Sequence, residues 1–250
     1  MYNTYMLEQH TPAIIKLLSN DLRWNILKTL AQSDMRVQEL SELLRQPQNL
    51  VSYHLQKLRD QALVLEHHSI ADGREVYYGV NLNQIRDLFR AAEGSLHPAI
   101  TNGNGSQSIY PPLRVLFLCT HNSARSQIAE ALLHTKSHAQ IKAFSAGTDP
   151  ISVNPLTKQV MKDLGIDIQG QIAKGLDQFQ NEPFDYIVTV CDRARELCPL
   201  FPGNPTKIHW SIADPTAVHG SQEEQYRAFR QTAKEMSERV DNFLTGISSV

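Results

Sequence analysis

Cysteine is scarce in this chain of 250 residues: Cys119, Cys191 and Cys198 are the only three, and all lie in the second half. Three thiols exclude a disulfide framework, and a small odd number points to catalysis or redox chemistry, with three buried inert thiols as the bland alternative. Long hydrophobic runs are missing too, so no stretch reaches the roughly 20 apolar residues that span a bilayer. Met1 to His10 has no apolar core of a secretory leader, and a cytoplasmic location is the expectation. An excess of one charge is likewise missing, with 24 Lys+Arg against 26 Asp+Glu. Residues 1–95 carry 10 basic and 11 acidic side chains, so any nucleic-acid binding there must come from a local face rather than bulk charge. Hydrophobic content of 41% and charged content of 20% are those of an ordinary globular protein.

Gly94 and Ser95, then the run Asn102 to Ser106, then Pro111 and Pro112 interrupt the periodic pattern. Gly, Asn and Ser at that density read as a flexible connector. The expected organisation is a domain over 1–94, a linker over 95–112 and a second domain over 113–250. In the first, apolar residues recur at helical spacing over 12–18, 21–31 and 37–44, and again from Pro47 to about Asp60. Asp72 and Gly73 then mark a hairpin turn, and Leu82 to Ala92 reads as a last helix. In the second, short apolar strands at 115–118, 143–147, 186–190 and 207–210 alternate with helices. That is the pattern of an α/β domain with a central parallel sheet.

Residues 37–60, two helices and a tight turn ahead of a hairpin, fit an N-terminal all-α winged helix-turn-helix. On the second helix the outward positions are Gln48, Asn49, Ser52, Tyr53 and Gln56. These polar groups are of the kind that bond base edges, with Lys57 and Arg59 near phosphates and Arg74 at the hairpin tip. The alternative is a helical bundle with a solvated polar face. Val51 to Leu58, reading VSYHLQKL, resembles the recognition helix of the ArsR/SmtB repressor family, over about residues 10–93. The resemblance implies operator DNA as a partner and a homodimer through the first and last N-terminal helices. It does not extend to the paired sensor cysteines of arsenite-sensing members, which have no counterpart at Val37 to Leu40. His10, His54, His67 and His68 lack metal-ligand spacing, and no metal site is expected.

The second domain carries the strongest signal: Cys119, Thr120, His121, Asn122, Ser123, Ala124, Arg125 and Ser126, with a strand before and a helix after. Five residues between Cys and Arg are enough to curl into a cradle of N–H groups for a tetrahedral anion at a helix N-terminus. The same groups are expected to lower the Cys119 pKa and make it a nucleophile. Arg125 is suited to grip two anion oxygens, and Ser126 to bond the sulfur. Asp214, beside Pro215 in a later loop, is the candidate general acid. Together these resemble the low-molecular-weight phosphatase fold over about 113–245, which implies Cys119 as nucleophile, Arg125 as oxyanion ligand and Asp214 as acid. The phosphatases follow Asp-Pro with Tyr; here Thr216 follows.

Cys191 and Cys198 have no task in a phosphatase. Their spacing, with Ser145 to Gly147, Gly165 to Ile168 and the pair His209 and Trp210, resembles the thioredoxin-coupled arsenate reductases. The resemblance implies a three-thiol relay through Cys119, Cys191 and Cys198, with arsenate as substrate and thioredoxin as outside reductant. The 191–198 segment is then expected to loosen on oxidation. His121 stands where the family has Gly, Ala124 where it often has Cys, and Lys174 where some members use Asp to bind potassium. No bound cofactor and no potassium requirement are therefore expected. Two other readings stay open: a tyrosine phosphatase fused to a repressor, and a non-catalytic regulator that only senses an oxyanion or arsenite.

Overall fold

The computed structural model describes residues 11–68, 75–96 and 112–248. Arg74, His10 and the hairpin turn at Asp72 and Gly73 lie outside the described residues, as does most of the expected linker. Contacts divide the described chain into two compact units. One holds residues 11–31, 37–65 and 80–96; the other holds 32–36, 66–68, 75–79 and 112–248.

In the smaller unit the helices are α1 (Ala13–Leu18), α2 (Asp21–Leu30), α3 (Val37–Leu44), α4 (Gln48–Arg59) and α5 (Leu82–Leu96). Asn20 caps α2 by accepting from the Arg23 N–H at 3.1 Å, as short polar side chains do at helix starts. α3 stops at Leu44, where Arg45 turns left-handed at φ 52°, and Pro47 sits just ahead of α4. Val51, Leu55 and Leu58 recur at helical spacing and are buried, while Lys57 and Arg59 complement the dipole at the C-terminus. The stripe expected on α3 narrows in the structure: Leu40 is buried, but Leu43 is 60% exposed. At 100° per residue Leu43 lies 60° around the helix from Leu40, at the margin of the packed face.

Short strands β1 (Met35–Arg36), β2 (Val64–His68) and β3 (Val76–Val80) form a sheet in the order β1-β3-β2, in which β1 runs antiparallel to β3 with Met35 opposite Tyr78. The two-residue β1 carries too little pattern for sequence to reveal.

The larger unit is built on four parallel strands: β4 (Arg114–Cys119), β5 (Lys142–Gly147), β6 (Tyr186–Thr189) and β7 (Thr206–His209), in the order β5-β4-β6-β7. Every residue of β4 from Val115 to Cys119 is buried, as expected of a central parallel strand covered on both faces. The helices are α6 (Arg125–Lys136), α7 (Pro155–Asp163), the short α8 (Asp192–Glu196) and α9 (Gln222–Ser248). Asn154 caps α7 with Pro155 in its first turn, and Gly165 at φ 75° follows its end, where a left-handed residue reverses the chain. In α9, Phe229, Ala233, Met236, Val240 and Leu244 are spaced by three and four and all buried. No helix among the described residues is long and apolar enough to cross a membrane.

From β4 the chain crosses to β5 on one side and later to β6 on the other. That reversal opens a crevice beyond the carboxyl ends of the strands, where α/β sheets bind ligands. The segment after Cys119, Gly147, Cys191 and the loop carrying Asp214 all leave the sheet at that end.

Candidate active site

The loop from Cys119 to Arg125 closes over the end of β4. Asn122 adopts φ 49°, a left-handed conformation that asparagine tolerates, and this turns its N–H onto the Cys119 Sγ at 3.0 Å. The Ser126 Oγ meets the same sulfur at 2.8 Å. Gly147 lies flat against the loop from β5. A Cβ there would come within 2.7 Å of the Thr120 carbonyl and 2.8 Å of the Asn122 nitrogen, so only glycine permits this approach.

Asn122 is the hub of the loop. Its Nδ2 donates to Ser126 Oγ and to Ser145 Oγ, both at 2.8 Å. Its Oδ1 accepts from the Lys174 N–H at 2.7 Å and from Gln127 Nε2 at 2.8 Å. Ser145 donates onward to Glu130, whose carboxylate holds the Lys174 ammonium at 2.9 Å. A potassium ion therefore does not fit this donor set, because an ammonium already neutralises Glu130. Ser123 serves as scaffold: its carbonyl accepts from the Asn154 N–H and the Thr157 hydroxyl, each at 3.0 Å.

The Arg125 side chain is 93% buried and fully directed. Nη1 donates to the Ile212 carbonyl at 2.9 Å and Nη2 to Asp214 Oδ2 at 2.6 Å. The other Asp214 oxygen accepts from the Thr216 N–H at 3.0 Å and hydroxyl at 2.7 Å. The structure thus joins the two residues that sequence assigned to separate tasks. Thr216, where phosphatases of this fold place Tyr, fixes the acid instead of lining the entrance.

The Cys191 Sγ stands 3.4 Å from the Thr120 Oγ1, inside the nucleophile loop. A cavity of about 500 Å³ is bounded by Thr120, His121, Arg125, Cys191 and Asp214. Cys198 lies two residues beyond α8, half-buried, between Leu197 at 55% and Leu200 at 89% exposure.

Burial pushes the Cys119 thiol up and the neighbouring Cys191 sulfur pushes the same way; Ser126, Arg125 and the Asn122 N–H pull against them. The net direction is upward, against the lowered value expected from sequence. The loop buries Cys119, and two arms of Arg125 are committed to Ile212 and Asp214. With the anion site empty, alkylation of Cys119 by iodoacetamide is therefore expected to be slower at pH 7 than that of a free thiol. It should climb about tenfold per pH unit until the raised pKa is passed. Ser126→Ala, which removes the largest opposing interaction, slows it further. A rate that is flat from pH 6 to 9, read by peptide mass spectrometry, would reveal a preformed thiolate instead.

On α4, Gln48, Asn49, Ser52, Tyr53, Gln56 and Lys57 are all exposed, with the Lys57 ammonium 5.6 Å from the Tyr53 ring centre. No group of three or more metal-ligating side chains occurs among the described residues. His54, buried and held below the usual imidazole value by burial and by Arg23, belongs to the core of its unit. Sequence reasoning passed over Gln127, Asp192 and Ser211, whose parts depend on partners up to 177 positions away.

A cysteine loop at the crevice of a parallel sheet, with a buried arginine and an aspartate facing it, defines the class of cysteine-dependent oxyanion enzymes. Residues 114–249 match the family described as low molecular weight phosphotyrosine protein phosphatase, and the chain belongs to that family. Residues 20–65, which hold the N-terminal helix-turn-helix, match the family described as bacterial regulatory protein, arsR family. Curated relatives include an arsenate reductase of Halalkalibacterium halodurans, 36% identical over 129 residues, which covers 52% of this chain and 93% of that protein. Another, from Bacillus subtilis, is 34% identical over the same lengths. A solved arsenate reductase from Archaeoglobus fulgidus is 32% identical with a TM-score of 0.43, covering 52% of this chain and 98% of that one.

Proposed function

We propose that this protein reduces arsenate to arsenite through a Cys119, Cys191 and Cys198 relay recharged by thioredoxin, and that its N-terminal part is a DNA-binding regulator of arsenic resistance. The carrying observation is the place of the second thiol: Cys191 lies 3.4 Å from Thr120 in the nucleophile's own loop.

The thiol proton of Cys119 passes to the entering arsenate dianion, and the thiolate attacks arsenic. A hydroxide leaves as water with a proton that Asp214 draws from solvent and passes on, giving a Cys119–arsenic bond. Loop N–H groups and Arg125 stabilise the oxygens as charge builds. The Cys191 thiolate then attacks the Cys119 sulfur. The sulfur–arsenic electron pair stays with arsenic, which leaves as arsenite, and a Cys119–Cys191 disulfide remains. Cys198 attacks Cys191 and frees Cys119, and a thioredoxin dithiol reduces the Cys191–Cys198 disulfide. The exposed Leu197 and Leu200 beside Cys198 offer apolar contact to that reductant. No cofactor is bound in this scheme, and Lys174 does the work of a cation at Glu130.

In the regulatory part, α4 presents Gln48, Asn49, Ser52, Tyr53, Gln56 and Lys57 to operator DNA, and the chain dimerises through that part. The test is arsenate-dependent NADPH oxidation with thioredoxin and thioredoxin reductase. Turnover is expected, equal in sodium and potassium salts and absent in Cys119→Ser. If arsenate gives no turnover while an aryl phosphate is hydrolysed, the phosphatase reading replaces this one. DNA release by arsenite without turnover of either substrate leaves a pure regulator.

A further inference from the structure

Asp192 immediately follows Cys191 and is buried to 6% exposure. Its Oδ1 accepts from the Ser211 hydroxyl at 2.9 Å and faces His209 Nε2 at 3.1 Å. The other ring nitrogen of His209 meets the Thr189 hydroxyl at 2.8 Å, so the imidazole is fixed on both sides. Ser211 and Ile212 lead directly to Asp214, and the Ile212 carbonyl is one of the two anchors of Arg125. One carboxylate thus joins the segment between the two relay cysteines to the loop that carries the acid.

We propose that Asp192 is a positioning residue which places Asp214 only while the Cys191 to Cys198 segment is reduced. The inference rests on the relay reading above and goes beyond it. Six residues lie between the two cysteines, and the seven steps from one to the other amount to about 10 Å along a helix at 1.5 Å per residue. A disulfide needs Cα atoms roughly 4.4–6.8 Å apart. Forming it unwinds α8 from its first residue, and that residue is Asp192. Withdrawing its carboxylate leaves the Ser211 hydroxyl without its acceptor and His209 Nε2 without its partner in a buried site, a cost that the 210–214 loop relieves by shifting towards water. Oxidation of the relay therefore takes the acid away from Arg125, and the oxidised enzyme does not spend a second arsenate before it is recharged.

Trp210 sits between His209 and Ser211 at 4% exposure, and Trp24, the other of two tryptophans, is 51% exposed. In the full chain carrying Trp24→Phe, Trp210 alone reports on the loop. Acrylamide quenching of reduced protein is expected to be weak, and to rise about threefold after diamide oxidation to the Cys191–Cys198 disulfide. Asp192→Ala should show the raised quenching while still reduced and little change on oxidation. Asp192→Asn, which keeps one acceptor oxygen, should restore the shielding. Ser211→Ala, which removes a single hydroxyl, is the second variant should Asp192→Ala fail to fold, and should quench between the two.

In single turnovers without thioredoxin, Asp192→Ala should lower the arsenite burst rate about tenfold and move half-saturation by arsenate less than twofold. In an Asp214→Asn background it should add less than a further twofold, as residues acting as a unit do. Trp210 equally shielded in both redox states, or fully additive losses, overturns the proposal. Absence of arsenate turnover sinks the relay as an arsenate mechanism, and the quenching comparison then decides the loop linkage by itself.

Discussion

Cys198→Ser is expected to yield about one equivalent of arsenite per chain and then stop. With Cys119 and Cys191 intact the first two steps proceed, but nothing frees Cys119 from the mixed disulfide, which stays behind a pocket rim where Cys191 is only 5% exposed. Thioredoxin needs an accessible sulfur, and burial denies it one. The coupled NADPH assay should stay at background throughout, because the single equivalent of arsenite, measured directly, draws its electrons from the Cys119 and Cys191 thiols, and non-reducing peptide mapping should find Cys119 joined to Cys191. Sustained turnover by Cys198→Ser would remove Cys198 from the relay. A chain that hydrolyses aryl phosphates unchanged by the substitution would be working as a phosphatase.

Arg125→Lys is expected to cost about 10²–10³ in kcat/KM for arsenate, the scale of losing a transition-state donor. The guanidinium holds Ile212 with one arm and Asp214 with the other, and keeps further N–H groups for the anion. A lysine ammonium is a point donor on a flexible stem and cannot hold the acid and the oxyanion in one plane. Inorganic phosphate should protect Cys119 from iodoacetamide in the wild type and much less in the variant. A loss below fivefold with protection intact would mean that Arg125 only braces the Asp214 loop.

The parts of the site that sequence revealed are those packed into one contiguous stretch. From Cys119 to Ser126 the cradle, the arginine and the sulfur's hydroxyl partner are adjacent in the chain, and the strand before and helix after are strongly patterned. The parallel sheet was legible for the same reason, since β4 and β6 are short apolar runs between turns and the less apolar β5 and β7 fall where helices and turns alternate around them. Less legible were residues whose meaning is supplied by the fold. Gln127 looks like any polar helix residue until it is seen donating to Asn122 and to the Ile172 carbonyl. Asp192 looks like a helix N-terminal acid until His209 and Ser211 converge on it. The thiol of Cys119 was expected to be lowered, because the motif displays its donors and not the depth at which they are buried. Leu43 was read into a stripe whose width depends on what packs against it.

Leu118 of β4 stands level with Thr189 of β6, so Cys119 and Cys191 leave neighbouring strands at nearly the same height. Adjacent strands are about 4.8 Å apart, inside the span that a disulfide bridges. In the proposed relay the two thiol exchanges are therefore different kinds of event. The first asks two side chains to turn on a sheet that stays still. The second asks five residues of helix to unwind, which makes it a local folding transition with its own cooperativity. Denaturant at sub-unfolding concentration should hasten the second and leave the first untouched, so a mild perturbant will speed recharging in an enzyme whose arsenic chemistry it does not affect.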